Sequence, residues 1–219
     1  MHYQLRNADG SHSIWTPGKI VCVAKNYADH AAEMASSVPS QPTFFIKPNT
    51  ALCDFAGPLV FPTDRGAVHH EIELGLVIGQ RLSRADRIPD NAVAAYVLAI
   101  DLTLRELQTT LRNQGYPWDA SKGFANACPV TPLLAEGVIT DPQAADIGFK
   151  VNGEARQAGN TRDMVYSISR LLADAASIFV LEPGDILLTG TPVGVGPLCA
   201  GDHYEAWINS QSFRGEVAT

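Results

Sequence analysis

Apolar and polar positions alternate most clearly at Glu71-Ile72-Glu73-Leu74-Gly75-Leu76, continuing into Val77-Ile78. In an extended chain successive side chains point to opposite faces, so Ile72, Leu74, Leu76 and Ile78 form one face of a predicted strand. Glu71, Glu73 and Gly75 share the other. Shorter β-branched or apolar runs predict strands over residues 19–23, 43–47, 96–100 and 186–189. Elsewhere the repeat lengthens to that of a helix. Residues 27–35 predict a brief helix with Asn26 as N-cap, and residues 103–114 predict one with Leu104, Leu107 and Leu111 in register and Gly115 as its stop. Residues 167–179 predict a third, with Ile168, Leu171, Leu172 and Ala175 on one face. Pro89-Asp90-Asn91 reads as a helix start and predicts a helix within 88–95. Asn152-Gly153 between extended segments predicts a tight hairpin, and residues 204–217 predict another. Residues 39–42, 190–201 and most of 49–68 read as loop, with a short extended piece at Leu59-Val60-Phe61.

The 18 glycines and 14 prolines are spread along the chain, as in a fold of many short elements joined by turns. An apolar fraction of 46% against 18% charged residues supplies a core and argues against disorder. One mixed domain dominated by strands is the expected organisation. The formal charge of −7 disfavours attraction to nucleic acid or an anionic membrane. The start of the chain lacks a basic segment followed by an apolar one, and no apolar run reaches the roughly 20 residues of a bilayer span. A cytoplasmic protein with no nucleic-acid or membrane partner is expected. Cys22, Cys53, Cys128 and Cys199 are far apart without C-x-x-C spacing, and free thiols are expected.

The candidate chemistry begins with Glu71 and Glu73. Two carboxylates two residues apart on a strand repel one another, and a hard cation between them removes that repulsion. A bare E-x-E is more often a solvated strand face. Asp101 adds a third acid where an apolar strand ends, a position from which it can enter a cleft. Three oxygen donors on rigid elements suit Mg2+ or Mn2+ better than Zn2+. His69 and His70 are read as packing beside this site, with zinc ligation as the alternative. His30 and Glu33 lie three apart on the first helix, so the carboxylate can orient the imidazole as a general base. An exposed surface pair is the bland alternative. The run Thr189-Gly190-Thr191-Pro192-Val193-Gly194 lacks the Lys-Ser/Thr and following helix of a nucleotide loop. It suits backbone N–H groups and the Thr191 hydroxyl directed at a small anion.

Together these segments resemble the fumarylacetoacetate hydrolase family, and within it the short acylpyruvase-like members. The resemblance rests on His69-His70-Glu71-Ile72-Glu73-Leu74-Gly75, Asp101-Leu102-Thr103-Leu104-Arg105-Glu106-Leu107-Gln108, Pro117-Trp118, Ser121-Lys122-Gly123-Phe124 and Cys128-Pro129. Val151-Asn152-Gly153-Glu154 and the loop 189–197 follow in the same order. It extends from about Lys19 to the C-terminus, leaving 1–18 as an N-terminal extension and 19–219 as a single catalytic domain. It implies an α+β, mostly β fold: a mixed β-sandwich roll with flanking short helices, as a homodimer.

The resemblance also implies a divalent metal on Glu71, Glu73 and Asp101, and His30 and Glu33 on a lid that orders over bound substrate. The implied substrate is a 2-oxo or 2,4-dioxo acid that chelates the metal, with Arg105, Gln108 and Thr191 holding its carboxylate and Lys122 stabilising the oxyanion or enolate. His30, oriented by Glu33, would activate a water for attack at C-4, and carbon–carbon cleavage would release pyruvate. The same site implies, as rivals, oxaloacetate decarboxylation, isomerisation or hydration, and a non-catalytic metabolite-binding role is a further one. Where members of the family often carry Gly-Arg-Asn-Tyr, this chain has Ala24-Lys25-Asn26-Tyr27. Lysine keeps the charge but not the bidentate fork.

Overall fold

The computed structural model describes residues 3–34, 39–84 and 88–219. The first strands are β1 (Lys19–Ala24), β2 (Thr43–Pro48), β3 (Leu52–Asp54), β4 (Pro58–Leu59) and β5 (Val68–His70). They are followed by β6 (Ile72–Ile78), β7 (Val93–Ile100), β8 (Thr103–Leu104), β9 (Cys128–Val130), β10 (Asp146–Val151) and β11 (Glu154–Asn160). The last are β12 (Ile186–Leu188), β13 (Gly196–Leu198), β14 (His203–Ile208) and β15 (Gln211–Val217). Four α-helices intervene among the described residues: α1 (Ala28–Glu33), α2 (Arg105–Gln114), α3 (Asp119–Lys122) and α4 (Ile168–Ile178).

The strands form a seven-stranded sheet in the order β2-β1-β12-β6-β7-β9-β3, a five-stranded sheet β11-β10-β14-β15-β4 and a three-stranded sheet β13-β5-β8. The result is the expected mostly β architecture with few, short helices. β6 lies at the centre of the largest sheet and is buried along its whole length. Its apolar face joins Ile20, Leu98, Ile100, Ile147 and Ile208 in one continuous core. Burying such a side chain contributes about 1.5–3 kcal/mol, so the face opposite the acids anchors the strand. The N-terminal residues fold back as a hairpin, with Leu5 N–H donating to Trp15 at 3.0 Å and the Leu5 side chain in the core. Arg6 and Tyr3 both bind Asp54, at 3.0 and 2.7 Å, which fastens this hairpin beside β3.

The hairpin at Asn152-Gly153 forms as expected, with φ of 51° and 84° at the two turn residues. α4 carries its expected buried stripe and is capped by the Ser167 hydroxyl. α2 ends at Gly115 in the left-handed conformation.

Other expectations are corrected. Residues 88–92 are not helical, and the strand expected at 96–100 starts at Val93, because β6 runs to Ile78 and β7 pairs with it over that length. Pro89-Asp90-Asn91 closes a turn instead, with Ala92 N–H donating to the Pro89 carbonyl. α2 starts at Arg105 because Thr103 and Leu104 pair with β5. Residues 49–68 hold β3 and β4 in addition to loop, and the extended piece is Pro58–Leu59. The first helix begins at Ala28 with Tyr27 rather than Asn26 at its cap, since the Asn26 side chain is engaged elsewhere. Ala35, expected at that helix's end, lies outside the described residues. All four cysteines are free thiols. Among the described residues, no helix is long and apolar enough to cross a membrane.

Candidate metal centre

The acid cluster follows from strand register. β6 and β7 pair antiparallel with Ile72 opposite Ile100, so the next residues, Glu71 and Asp101, also face each other across the ladder. Asp101 N–H donates to the Glu71 carbonyl at 2.8 Å. Glu73, two residues along from Glu71, projects to the same side. The three carboxylates thereby offer oxygens that all lie within 4.8 Å of one another. They are 5%, 2% and 1% exposed for Glu71, Glu73 and Asp101, which removes the solvated-face alternative.

Buried carboxylates need counter-charge. Lys122, at the end of α3, places Nζ 3.0 Å from Glu71 Oε2 and 2.5 Å from Asp101 Oδ2, and donates to Thr103 Oγ1 at 2.6 Å. Arg105 Nη2 pairs with Glu71 Oε1, while its Nη1 donates to Gln108 Oε1 at 2.7 Å. Lys47 is wholly buried and donates to the carbonyls of Leu102, Lys122 and Ala127. Glu73 has no cationic partner among the described residues, and its Oε2 accepts only the Gly190 N–H at 2.6 Å.

The titration behaviour follows this pairing. Burial alone would raise Glu71, but Lys122 and Arg105 hold it well below the usual carboxylate range. Burial, then the charges of Asp101 and Glu71, push Glu73 well above that range. Burial pulls Lys122 down, and Asp101 and Glu71 more than offset it, leaving the ammonium more firmly protonated than usual.

Two observations fit a hard divalent cation here. Three carboxylates converge on one side, and Asp101 Oδ1 is buried without a hydrogen bond although Lys47 Nζ is 2.8 Å away. An all-oxygen donor set of this kind suits Mg2+ or Mn2+.

A cleft opens over the acids. Eight of the nine residues singled out from the sequence line it: His30, Glu71, Glu73, Asp101, Arg105, Gln108, Lys122 and Thr191. Glu33, the ninth, stands behind His30, with its Oε2 3.2 Å from His30 Nδ1. A carboxylate is an acceptor, so Nδ1 carries the proton and Nε2 is left basic. Glu33 also accepts the Gly194 N–H, tying α1 to the 190–201 loop. That loop was expected to direct its N–H groups at a ligand; those of Gly190 and Gly194 serve Glu73 and Glu33 instead. Gly190 has φ of 95°, and a Cβ there would meet the Asn26 Cβ at 2.8 Å, so only glycine fits.

Sequence reasoning missed the braces around the site. Gln157 on β11 is fully buried and uses its whole amide: Oε1 takes His70 Nδ1 at 2.9 Å and Ile72 N–H at 3.1 Å. Its Nε2 donates to Thr191 Oγ1 at 2.7 Å and to the Pro192 carbonyl at 2.8 Å. His69 and His70 lie beside the acid cluster rather than in it, and burial lowers both their pKa values. Asn26 ties β1 to Tyr166 and to the Thr189 carbonyl, at 3.1 and 2.9 Å. Lys47 carried the one readable signal, a lysine directly after the apolar run Phe44-Phe45-Ile46 and before Pro48.

Known proteins share this arrangement of elements. Residues 19–218 match the model of the fumarylacetoacetate hydrolase C-terminal family. Oxaloacetate tautomerase YcgM of Escherichia coli is 44% identical over 217 residues, spanning 98% of this chain and 99% of that protein. The mitochondrial oxaloacetate tautomerase of Homo sapiens is 43% identical over 210 residues, 92% of this chain and 94% of that one. The crystal structure of fumarylpyruvate hydrolase from Pseudomonas aeruginosa, in complex with Mn2+ and pyruvate, aligns with a TM-score of 0.90. Its sequence is 31% identical, with 99% of this chain and 96% of that chain covered. A match running from the first strand of the large sheet to the last strand of the second makes this chain a member of the fumarylacetoacetate hydrolase family.

Proposed function

We propose that this protein is a divalent-metal-dependent enzyme that interconverts the keto and enol forms of a 2-oxo acid, with oxaloacetate as the first substrate to test. The observation that carries the reading is the His30–Glu33 pair, which sets a basic imidazole nitrogen in the same cleft as the three-acid cluster. The near-full-length identity to an oxaloacetate tautomerase supports it.

Glu71, Glu73 and Asp101 would hold the cation, whose contribution when bound is Lewis-acid polarisation of the 2-oxo group. His30 takes the proton from C-3; the C–H electron pair becomes the C2=C3 double bond, and the carbonyl π pair moves onto the C-2 oxygen. Lys122 and Arg105 stabilise the charge that develops there. Arg105 Nε is a buried donor with no partner, and Thr191 keeps its hydroxyl proton after accepting from Gln157, so both have a hydrogen bond left for the substrate carboxylate. Protonation at oxygen completes the enol, and reversal of these steps restores the ketone. Glu33 positions the imidazole and balances its charge while it carries the proton.

Hydrolysis of a 2,4-dioxo acid to pyruvate and a carboxylate is the second reading. The same dyad favours it, because a base aimed into the cleft can activate a water as well as accept a carbon-bound proton. The similarity to a fumarylpyruvate hydrolase adds to it.

One assay separates the two. Enol oxaloacetate is followed by its ultraviolet absorbance, and acetylpyruvate by pyruvate release, each with Mg2+ or Mn2+ and again with EDTA. Metal-dependent decay of the enol that is lost in His30→Ala supports the tautomerase. Pyruvate release without enol decay replaces it with the hydrolase, and turnover of neither substrate removes both.

A further inference from the structure

The acids and cations at the floor of the cleft are equal in number, and the walls carry positive charge that no acid among the described residues answers. Lys47, Arg105 and Lys122 pair with Glu71 and Asp101, and Glu73 accepts the Gly190 N–H. The cleft is also lined by Lys25 and Arg112. Neither side chain makes a hydrogen bond or ion pair among the described residues.

Their placement is built into the backbone. Arg105, Gln108 and Arg112 are three and then four residues apart on α2, so they form one stripe, and all three line the cleft. Arg105 is tied down to Glu71, and the helical rise carries Arg112 roughly 10 Å further along the axis. Lys25 has φ of 61°, a left-handed conformation that non-glycine residues adopt rarely. It is imposed by its neighbour: Asn26 is buried and fixed by Nδ2 bonds to the Tyr166 and Thr189 carbonyls and by the Tyr166 N–H on its Oδ1. A strained residue that also lines a cleft is where strain tends to serve a ligand.

We propose that Arg112 and Lys25 form the subsite for a second carboxylate, at the end of the substrate remote from the metal, and so select dicarboxylic 2-oxo acids. The inference rests on the 2-oxo acid reading above. A 2-oxo acid bound through its first carboxylate and oxo group at the acid cluster directs its remaining carbons away from the floor, toward these two cations. With all three acids ionised the floor is neutral, so a divalent ion held there would leave two positive charges, of which one carboxylate of the substrate cancels only one. The second carboxylate supplies the next, against an arginine fork suited to it. The competing wall is aromatic: Phe45 and Trp118 would favour an apolar acyl tail. The Phe45 ring, however, already carries Lys122 Nζ at 5.0 Å and the Trp118 ring at 5.9 Å.

Oxaloacetate and pyruvate differ by this one carboxylate and are the probes, with acetylpyruvate as the apolar-tailed comparison. Their affinities for the Mn2+-loaded full chain are measured by calorimetry for the wild type, Arg112→Gln, Arg112→Lys and Lys25→Gly. The last variant removes the charge while putting glycine where φ is positive, so folding is preserved. The wild type is expected to prefer oxaloacetate by at least tenfold. Arg112→Gln and Lys25→Gly should each cut that preference at least fivefold, with Arg112→Lys keeping most of it. Equal weakening of both ligands would reduce the pair to general attraction of anions and overturn the proposal, as would an unchanged ratio. Tighter binding of acetylpyruvate than of oxaloacetate would overturn it in favour of the aromatic wall. The expected ratios in a protein that turns over neither substrate would leave the subsite standing and remove only the catalytic reading.

Discussion

Lys47 Nζ lies 2.8 Å from Asp101 Oδ1 yet gives it no hydrogen bond, because its three protons are directed at the carbonyls of Leu102, Lys122 and Ala127. The ammonium thus fixes the backbone on both sides of the acid cluster and leaves one carboxylate oxygen with charge compensation but no proton donor. That oxygen is what a cation would take. Lys47→Met should strand three buried carbonyls and an acid, costing roughly 3–5 kcal/mol in denaturant unfolding. Lys47→Arg should not rescue it, since a planar fork cannot reproduce a three-way ammonium.

Glu73 gives the metal affinity its pH dependence. Burial and the neighbouring Asp101 and Glu71 raise its pKa, so a cation must displace a proton from it. Apparent Mn2+ affinity should rise with pH, by about tenfold per unit below the raised pKa, and level off above it. The metal-free fold responds in the opposite sense. A carboxyl whose folded pKa exceeds its unfolded one gives stability that is present at low pH and lost as pH rises through the folded value. Mn2+ titrations across pH, repeated on Glu73→Gln, check both parts; the variant should lose the slope along with most of the affinity.

His30→Ala should lower kcat on the turned-over substrate by about 10²–10⁴-fold, the usual worth of a positioned general base. Mn2+ affinity should stay within a few-fold, because His30 is not among the converging acids. Glu33→Gln should cost less than His30→Ala, as it keeps an acceptor for Nδ1 and loses only charge balance. Steady-state kinetics alongside metal titration separate the two effects.

Gly153 offers a test confined to the fold. Its φ is 84° and a Cβ there would touch nothing, so Gly153→Ala carries only the conformational penalty of a left-handed residue, about 1–2 kcal/mol. Thermal unfolding should register that loss with kcat unaltered, since the hairpin tip does not line the cleft.

How legible this molecule was in its sequence depended on how local each feature is. Glu71 and Glu73 were readable from the alternation of a single strand, and Asp101 from the end of another. Their convergence comes from the antiparallel register of β6 and β7, which neither segment contains alone. The helix expected at 88–95 failed for the same reason: a good local start signal was overridden by the need of β6 for a partner along its full length. Gln157 went unread and Asn26 was read as a helix cap because their decisive contacts, to Ile72 and to Thr189, lie 85 and 163 residues away. Lys47 looked like the polar end of a strand, and only the fold shows it surrounded by carbonyls.

Gln157 makes the site a gauge of how well two sheets stay docked. It belongs to the five-stranded sheet, yet its amide holds the N–H that begins the central strand of the other sheet and the hydroxyl of Thr191 beside the acids. A small separation of the sheets would break these bonds together while each sheet kept its own ladder. Heating should therefore abolish metal binding and turnover some degrees before circular dichroism reports any loss of strand, so that the enzyme fails first as an instrument and only later as a fold.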